Sequence, residues 1–85
     1  MKSFTYAIQD ELGIHARPAG LMVKAARPFA CDISVEYNGK KADMKKPFGL
    51  MGLAAKQGDE LTIICNGADE EEAVATLQQF LRENL

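Results

Sequence analysis

The residues most capable of chemistry sit together in Gly13-Ile14-His15-Ala16-Arg17-Pro18. His15 is the only histidine of the chain, and it falls immediately before, or at, the point where helical periodicity begins. A lone histidine there is most often a cap or a surface residue, and position alone carries no more than that. The neighbours add to it. A helix N-terminus offers unpaired N–H groups and partial positive charge, which suits an anion such as phosphate. The same field disfavours imidazolium, so the ring stays neutral and able to act as a nucleophile. Arg17 can set a permanently charged guanidinium on phosphate oxygens. Imidazole, guanidinium and main-chain N–H groups are together what a transient phosphohistidine needs. As a spacing pattern, this remains a weak signal.

The elements that must position these groups follow from periodicity. Phe4, Tyr6 and Ile8 alternate with Ser3, Thr5 and Ala7, a strand with one buried face. Asp10-Glu11-Leu12-Gly13 interrupts that pattern. Ala16 to about Arg27 is helical, with Pro18 in the first turn and Ala19, Met22, Val23 and Ala26 as the core stripe. Pro28 stops it. Ile33, Val35 and Tyr37 alternate in a second strand, Asn38-Gly39 makes a tight hairpin, and polar Lys40–Met44 returns as an edge strand. Pro47 to about Ala54 is a short helical turn with Leu50, Leu53 and Ala54 facing the core. A fourth strand carries Leu61, Ile63 and Cys65 on one face. The last helix is expected to begin at an Asp69–Glu72 capping box and to bury Ala73, Val74, Leu77, Phe80 and Leu81. The order β-α-β-β-α-β-α reads as α+β, one antiparallel sheet with helices on one face.

Eighty-five residues, 47% hydrophobic and 26% charged, form one domain spanning 1–85, with no room for a second. A net charge of −2 does not suggest nucleic acid, and no apolar stretch approaches a membrane span. The first residues lack the long apolar segment of a signal peptide, so the cytoplasm is the expected compartment. Charge is unevenly spread along the chain. Residues 1–56 hold nine basic and five acidic side chains, whereas 57–85 hold one and seven. Such asymmetry favours oriented docking on a charged partner. Two distant cysteines, Cys31 and Cys65, and one histidine make structural zinc improbable; no metal or cofactor is expected.

Two features suit docking. Ala16, Gly20, Lys24 and Arg27 share a face of the first helix away from its core stripe, with small residues near His15 and basic ones further along. A glycine inside a helix costs about 1 kcal/mol against alanine, so a steric role for Gly20 is reasonable, although a tolerated glycine on a solvated edge is the simpler account. Pro47, Phe48 and Met51 are expected to point outward as an apolar patch. The competing account has Phe48 filling a corner of the core.

Gly13-Ile14-His15-Ala16-Arg17-Pro18-Ala19 resembles the active-site motif of the HPr family, the histidine-containing phosphocarriers of the phosphoenolpyruvate-dependent sugar phosphotransferase system. Length, element order, Tyr37-Asn38-Gly39-Lys40, Gly49-Leu50-Met51 and Gly67-Ala68-Asp69-Glu70 extend the resemblance over essentially the whole chain. The resemblance implies an open-faced β-sandwich, strand order 1-4-2-3, with three helices on one side. It implies that His15 accepts a phosphoryl group on Nδ1 from enzyme I and passes it to a histidine of an enzyme IIA domain. Arg17 and the N–H groups of Ala16 and Arg17 would then hold the phosphate, and Pro18 would fix the helix start. The surface of Gly20, Lys24, Arg27, Pro47, Phe48 and Met51 would meet both proteins. A monomer is expected, without nucleic acid or membrane insertion.

The chain also departs from that family. Lys46 stands where many members carry a regulatory serine, so serine-type regulation is expected to be absent. Leu12 replaces a residue usually small and polar, and Leu21 and Ala25 stand where relatives often expose polar groups. These positions leave open a regulatory relative, or a specialised branch such as a dihydroxyacetone-kinase or nitrogen-type system. Cys31 and Cys65 could approach one another if strands two and four pair, as the family order implies. A small RNA-binding module is disfavoured, because the expected basic sheet with exposed aromatics is missing.

Overall fold

A computed structural model describes residues 1–85. Its elements are β1 (Lys2–Ala7), α1 (Ala16–Ala26), β2 (Asp32–Tyr37), β3 (Lys40–Asp43), α2 (Pro47–Gly52), β4 (Glu60–Asn66) and α3 (Glu70–Asn84). The four strands form one antiparallel sheet in the order β1-β4-β2-β3.

Alternation decides which face of the sheet is covered. Ile33 and Val35 of β2, Ala42 of β3 and Leu61, Ile63 and Cys65 of β4 are buried, while Ser34, Thr62 and Ile64 lie half-exposed on the other face. Ile63 stands opposite Phe4 on one side and Val35 on the other, which fixes the register across the central strands. Asn38 and Gly39 both adopt positive φ, 50° and 79°, and close the β2–β3 hairpin as their residue types anticipate.

The helices cover the apolar face. α3 packs on β1 and β4, and α1 packs against α2 and α3. α1 buries Pro18, Ala19, Met22, Val23 and Ala26, and α3 buries Ala73, Leu77 and Leu81 with Val74 and Phe80 half-buried. Twenty-one apolar residues make one continuous core, and no buried side-chain polar atom lacks a hydrogen-bond partner.

Three local expectations are corrected. α2 ends at Gly52, so Ala54 falls outside it; Ala54 takes φ 57° and is exposed, and Ala55 is buried in its stead. Pro47 and Met51 are half-buried, Met51 packing against the core, so Phe48 alone projects, 82% exposed. Leu50 within this short helix and Leu53 just after it are both buried, which leaves only one strongly outward direction. Finally, Asp69 occupies the N-cap position of α3 without a side-chain cap bond, and the capping box with Glu72 does not form. Its carboxylate instead accepts the N–H groups of Ala30 and Cys31 (2.8 and 2.9 Å) at the entry to β2. Those two donors, on a connection with no ladder of its own, compete successfully for it.

Candidate functional site

The loop that presents His15 is held from behind. Gly13 takes φ +68° and lies so close to the backbone of residues 55–56 that a Cβ there would come within 2.2 Å of the Ala55 carbonyl oxygen. That same oxygen accepts the Ile14 N–H at 3.1 Å. The segment supplying it is itself fixed, since Asp59 accepts the Lys56 N–H and the Tyr37 hydroxyl, both at 2.8 Å. Those two donors hold the Asp59 carboxyl below its usual range, the Lys56 N–H first, and the same bond pushes the Tyr37 phenol up. The start of the loop is tied to the far end of α3, where the Leu85 main-chain oxygen accepts the N–H groups of Gln9 and Asp10, both at 2.7 Å.

His15 is the N-cap of α1, with extended backbone (φ −113°, ψ −172°) and no side-chain cap bond, which leaves its ring free of its own helix. The carbonyl of His15 accepts the first bond of the helix, from Ala19 (3.0 Å). Pro18 has no N–H, so the Ala16 and Arg17 N–H groups are the donors left over at this end, and neither has a partner within the chain. No acidic residue stands in the first turn. The end of α1 therefore offers two free N–H groups and an unneutralised dipole.

His15, Arg17 and Pro18 line one cleft of about 340 Å³ together with Asp10, Leu12, Leu21, Glu83 and Asn84. The structure thus brings His15, Arg17 and Pro18 together as their spacing suggests. The His15 ring is about one-third exposed, and its Nε2 lies 3.8 Å from Asp10 Oδ1. Of the basic and small residues on the outer face of α1, Ala16, Gly20, Lys24 and Arg27 are all exposed. A Cβ on Gly20 would meet nothing within 4 Å, so nothing inside this molecule requires glycine there. Lys46 is exposed at the start of α2 and makes no cap bond. Its neighbour Lys45 instead turns inward, and its ammonium donates to the Phe29 and Cys31 carbonyls (2.7 and 3.0 Å).

Sequence reasoning overlooked Asp10, Glu83 and Asn84 as neighbours of the histidine. Asp10 carried a usable signal, a short carboxylate in an interrupted stretch five residues before His15. Glu83 and Asn84 carried none, because only the packing of α3 beside α1 delivers them. Cys31 and Cys65 are free thiols, both buried, and β2 and β4 do pair beside them. Burial and the nearby Asp69 carboxylate push the Cys31 thiol up to about 12. No helix is long and apolar enough to cross a membrane.

The site is an imidazole on an open helix N-terminus, carried by an antiparallel sheet with three helices on one face. The chain belongs to the HPr family: the family model described as "PTS HPr component phosphorylation site" matches residues 2–83. It is 45% identical over 83 residues to the phosphocarrier protein HPr of Lysinibacillus sphaericus, covering 98% of this chain and 94% of that protein. Among solved structures it superposes on HPr of Thermoanaerobacter tengcongensis with a TM-score of 0.93 at 38% identity, covering 99% of this chain and 94% of that one. It is also similar to the catabolite repression protein Crh of Bacillus subtilis, solved as a domain-swapped dimer (TM-score 0.79, 39% identity, 94% and 92% coverage).

Proposed function

We propose that this chain relays a phosphoryl group on His15, taking it from phosphorylated enzyme I and passing it to an enzyme IIA domain. The observation that supports this reading is the one-third-exposed imidazole beside Arg17 and the two free N–H groups of α1. The Nδ1 lone pair attacks phosphorus, the donor's P–N bond breaks, and its electron pair stays with the donor nitrogen. Arg17 and the Ala16 and Arg17 N–H groups neutralise the phosphoryl oxygens throughout, so positioning and electrostatics do the work. Reversal toward an enzyme IIA histidine uses the same contacts. The chain supplies a carrier and leaves catalysis to its partners.

The docking surface in this reading surrounds the cleft: Gly20, Lys24 and Arg27 of α1, with Phe48 projecting from α2 and Pro47 and Met51 at its base. Basic groups over an apolar anchor suit a partner with an acidic rim and a small apolar pocket. Lys46 has no hydroxyl to esterify, so a kinase acting on the family's regulatory serine finds no acceptor at this position.

The test is intact mass after incubation with phosphoenolpyruvate and purified enzyme I, with His15→Ala as control. One acid-labile phosphoryl group on the wild type alone is expected. No gain, with enzyme I active on another carrier, sinks the relay. The second reading, a regulatory or specialised-branch relative, draws on Lys46 and Leu12 and on the likeness to Crh. It becomes the stronger one in that event.

A further inference from the structure

We propose that Asp10 is a positioning residue for His15: its carboxylate holds the ring in the Nε2–H tautomer and faces the positive charge that the ring gains on phosphorylation. This rests on the carrier reading for its consequence, but not for its geometry.

Three observations support it. First, Asp10 Oδ1 lies 3.8 Å from His15 Nε2, beyond hydrogen-bond length but within ion-pair range, and Nε2 is the ring nitrogen that does not attack. A neutral imidazole carries its proton on one nitrogen, and a nearby carboxylate favours the nitrogen that faces it. A proton held at Nε2 leaves the Nδ1 lone pair available. Second, Asp10 is placed with care. Its N–H donates to the Leu85 oxygen (2.7 Å), its carbonyl accepts the Gly13 N–H (3.1 Å), and its Oδ1 accepts the Leu12 N–H (2.8 Å). The carboxylate is therefore fixed by the same loop that presents the ring. Third, no other acid competes for the role. Glu83 also lines the cleft, but its carboxylate accepts the Gln79 amide (3.1 Å) and makes no ion pair with the ring. Arg17, the remaining charged group of the cleft, is a cation and cannot serve.

The step balances without a proton leaving the ring. As the Nδ1–P bond forms and the donor's P–N bond breaks, the ring becomes a phosphoimidazolium that keeps its Nε2–H. The new positive charge lies next to the Asp10 carboxylate. The logic is that of a carboxylate orienting a catalytic histidine, acting through the imidazole and not on the phosphorus.

Asp10→Asn separates charge from structure, because the Asn side-chain oxygen can still accept the Leu12 N–H. Two-bond ¹H–¹⁵N correlations of the neutral His15 ring are expected to show Nε2–H in the wild type and a mixture of tautomers in D10N. The rate of phosphorylation by enzyme I is expected to fall about fivefold, the effect of one unit charge at 3.8 Å through a largely aqueous medium. Thermal unfolding is expected to stay unchanged. A wild-type ring protonated at Nδ1, a D10N ring with unaltered tautomers, or an unaltered rate overturns the proposal. The tautomer is read on the unphosphorylated protein, so it tests Asp10 even if enzyme I never phosphorylates the chain.

Discussion

Gly13→Ala should damage the protein more than its small size suggests, and its cost can be worked from two separate causes. The first is conformational: at φ +68° an alanine sits in the left-handed region, which costs roughly 1–2 kcal/mol. Gly58, at φ +88°, carries the same penalty but has open space around its would-be Cβ, so Gly58→Ala measures that cause alone. The second is contact: the new Cβ at Gly13 would lie 2.2 Å from the Ala55 oxygen and 2.7 Å from the Lys56 Cα, and neither is the tip of a flexible side chain. The loop must move away, and the Ile14 N–H bond to Ala55 is lost, at about 1 kcal/mol or more. Gly13→Ala should therefore cost roughly 3 kcal/mol, against about 1–2 for Gly58→Ala. For a domain of this size that is a fall in Tm of about 12–24 °C against about 4–16 °C. Thermal unfolding of the two variants side by side is the assay, with enzyme I phosphorylation followed below both transitions. Gly13→Ala should also slow phosphorylation, since His15 rides on the displaced loop. Equal stabilities for the two variants would refute the reasoning, because the loop would then be free to retreat at no cost.

Gly20→Ala should do the reverse, gaining up to about 1 kcal/mol from helix propensity with nothing to clash, and a Tm that does not rise would contradict the open space around it. If phosphoryl transfer nevertheless weakens, the glycine serves a partner's close approach. Phe48→Ala should leave stability within about 0.5 kcal/mol, because the ring is 82% exposed, while kcat/KM for phosphorylation falls about tenfold; unchanged kinetics would remove it from the docking surface. The Asp59 and Asp69 carboxyls both titrate below their usual range, Asp59 chiefly through the Lys56 N–H and Asp69 chiefly through the Ala30 N–H. Their stabilisation is complete above the ordinary carboxylate range and is lost as pH falls through the lower folded values, so Asp69→Asn should flatten the acid limb of a stability–pH curve. Cys31, with its thiol raised to about 12, should resist alkylation at neutral pH until the chain unfolds, and rapid native-state labelling would contradict that burial.

The limits of reading this fold from sequence lie in distance along the chain. Short-range signals hold: the apolar stripe of Ala19, Met22, Val23 and Ala26 is buried, the strands follow period two, and Asn38-Gly39 turns where it should. Strand order is not a local property, and only resemblance supplies β1-β4-β2-β3. The misses share that cause. Asp69 carries every local mark of a cap, yet it is taken by donors 39 and 38 residues away. Ala54 and Ala55 exchange burial because a stripe extrapolated past Gly52 slips by one residue, and alanine itself carries no turn signal. At the candidate site, His15, Arg17 and Pro18 are adjacent in sequence and therefore legible. Asp10 needed the loop's curvature to face the ring, and Glu83 and Asn84 needed the whole tertiary fold.

That division of labour has a physical consequence for the cleft. Of the residues lining it only Pro18 is buried; Asp10, His15 and Leu21 are half-buried, and Leu12, Arg17, Glu83 and Asn84 are exposed. The front of the site thus contributes little to the core, and its side chains are free to differ at little cost in stability. The back is the opposite case: Gly13 against Ala55, the Asp59 carboxylate holding the residue 56–59 turn, and the Leu85 oxygen on Gln9 and Asp10 fix the loop, so that substitution at Gly13 or Asp59 loosens it. Preorganisation of this kind lowers the entropy that a partner must supply on docking. A phosphocarrier presents the same ring wherever the phosphoryl group comes from or goes. Under the proposed relay, a fixed back with an open front would let the histidine hold its aim while the surface around it met more than one protein.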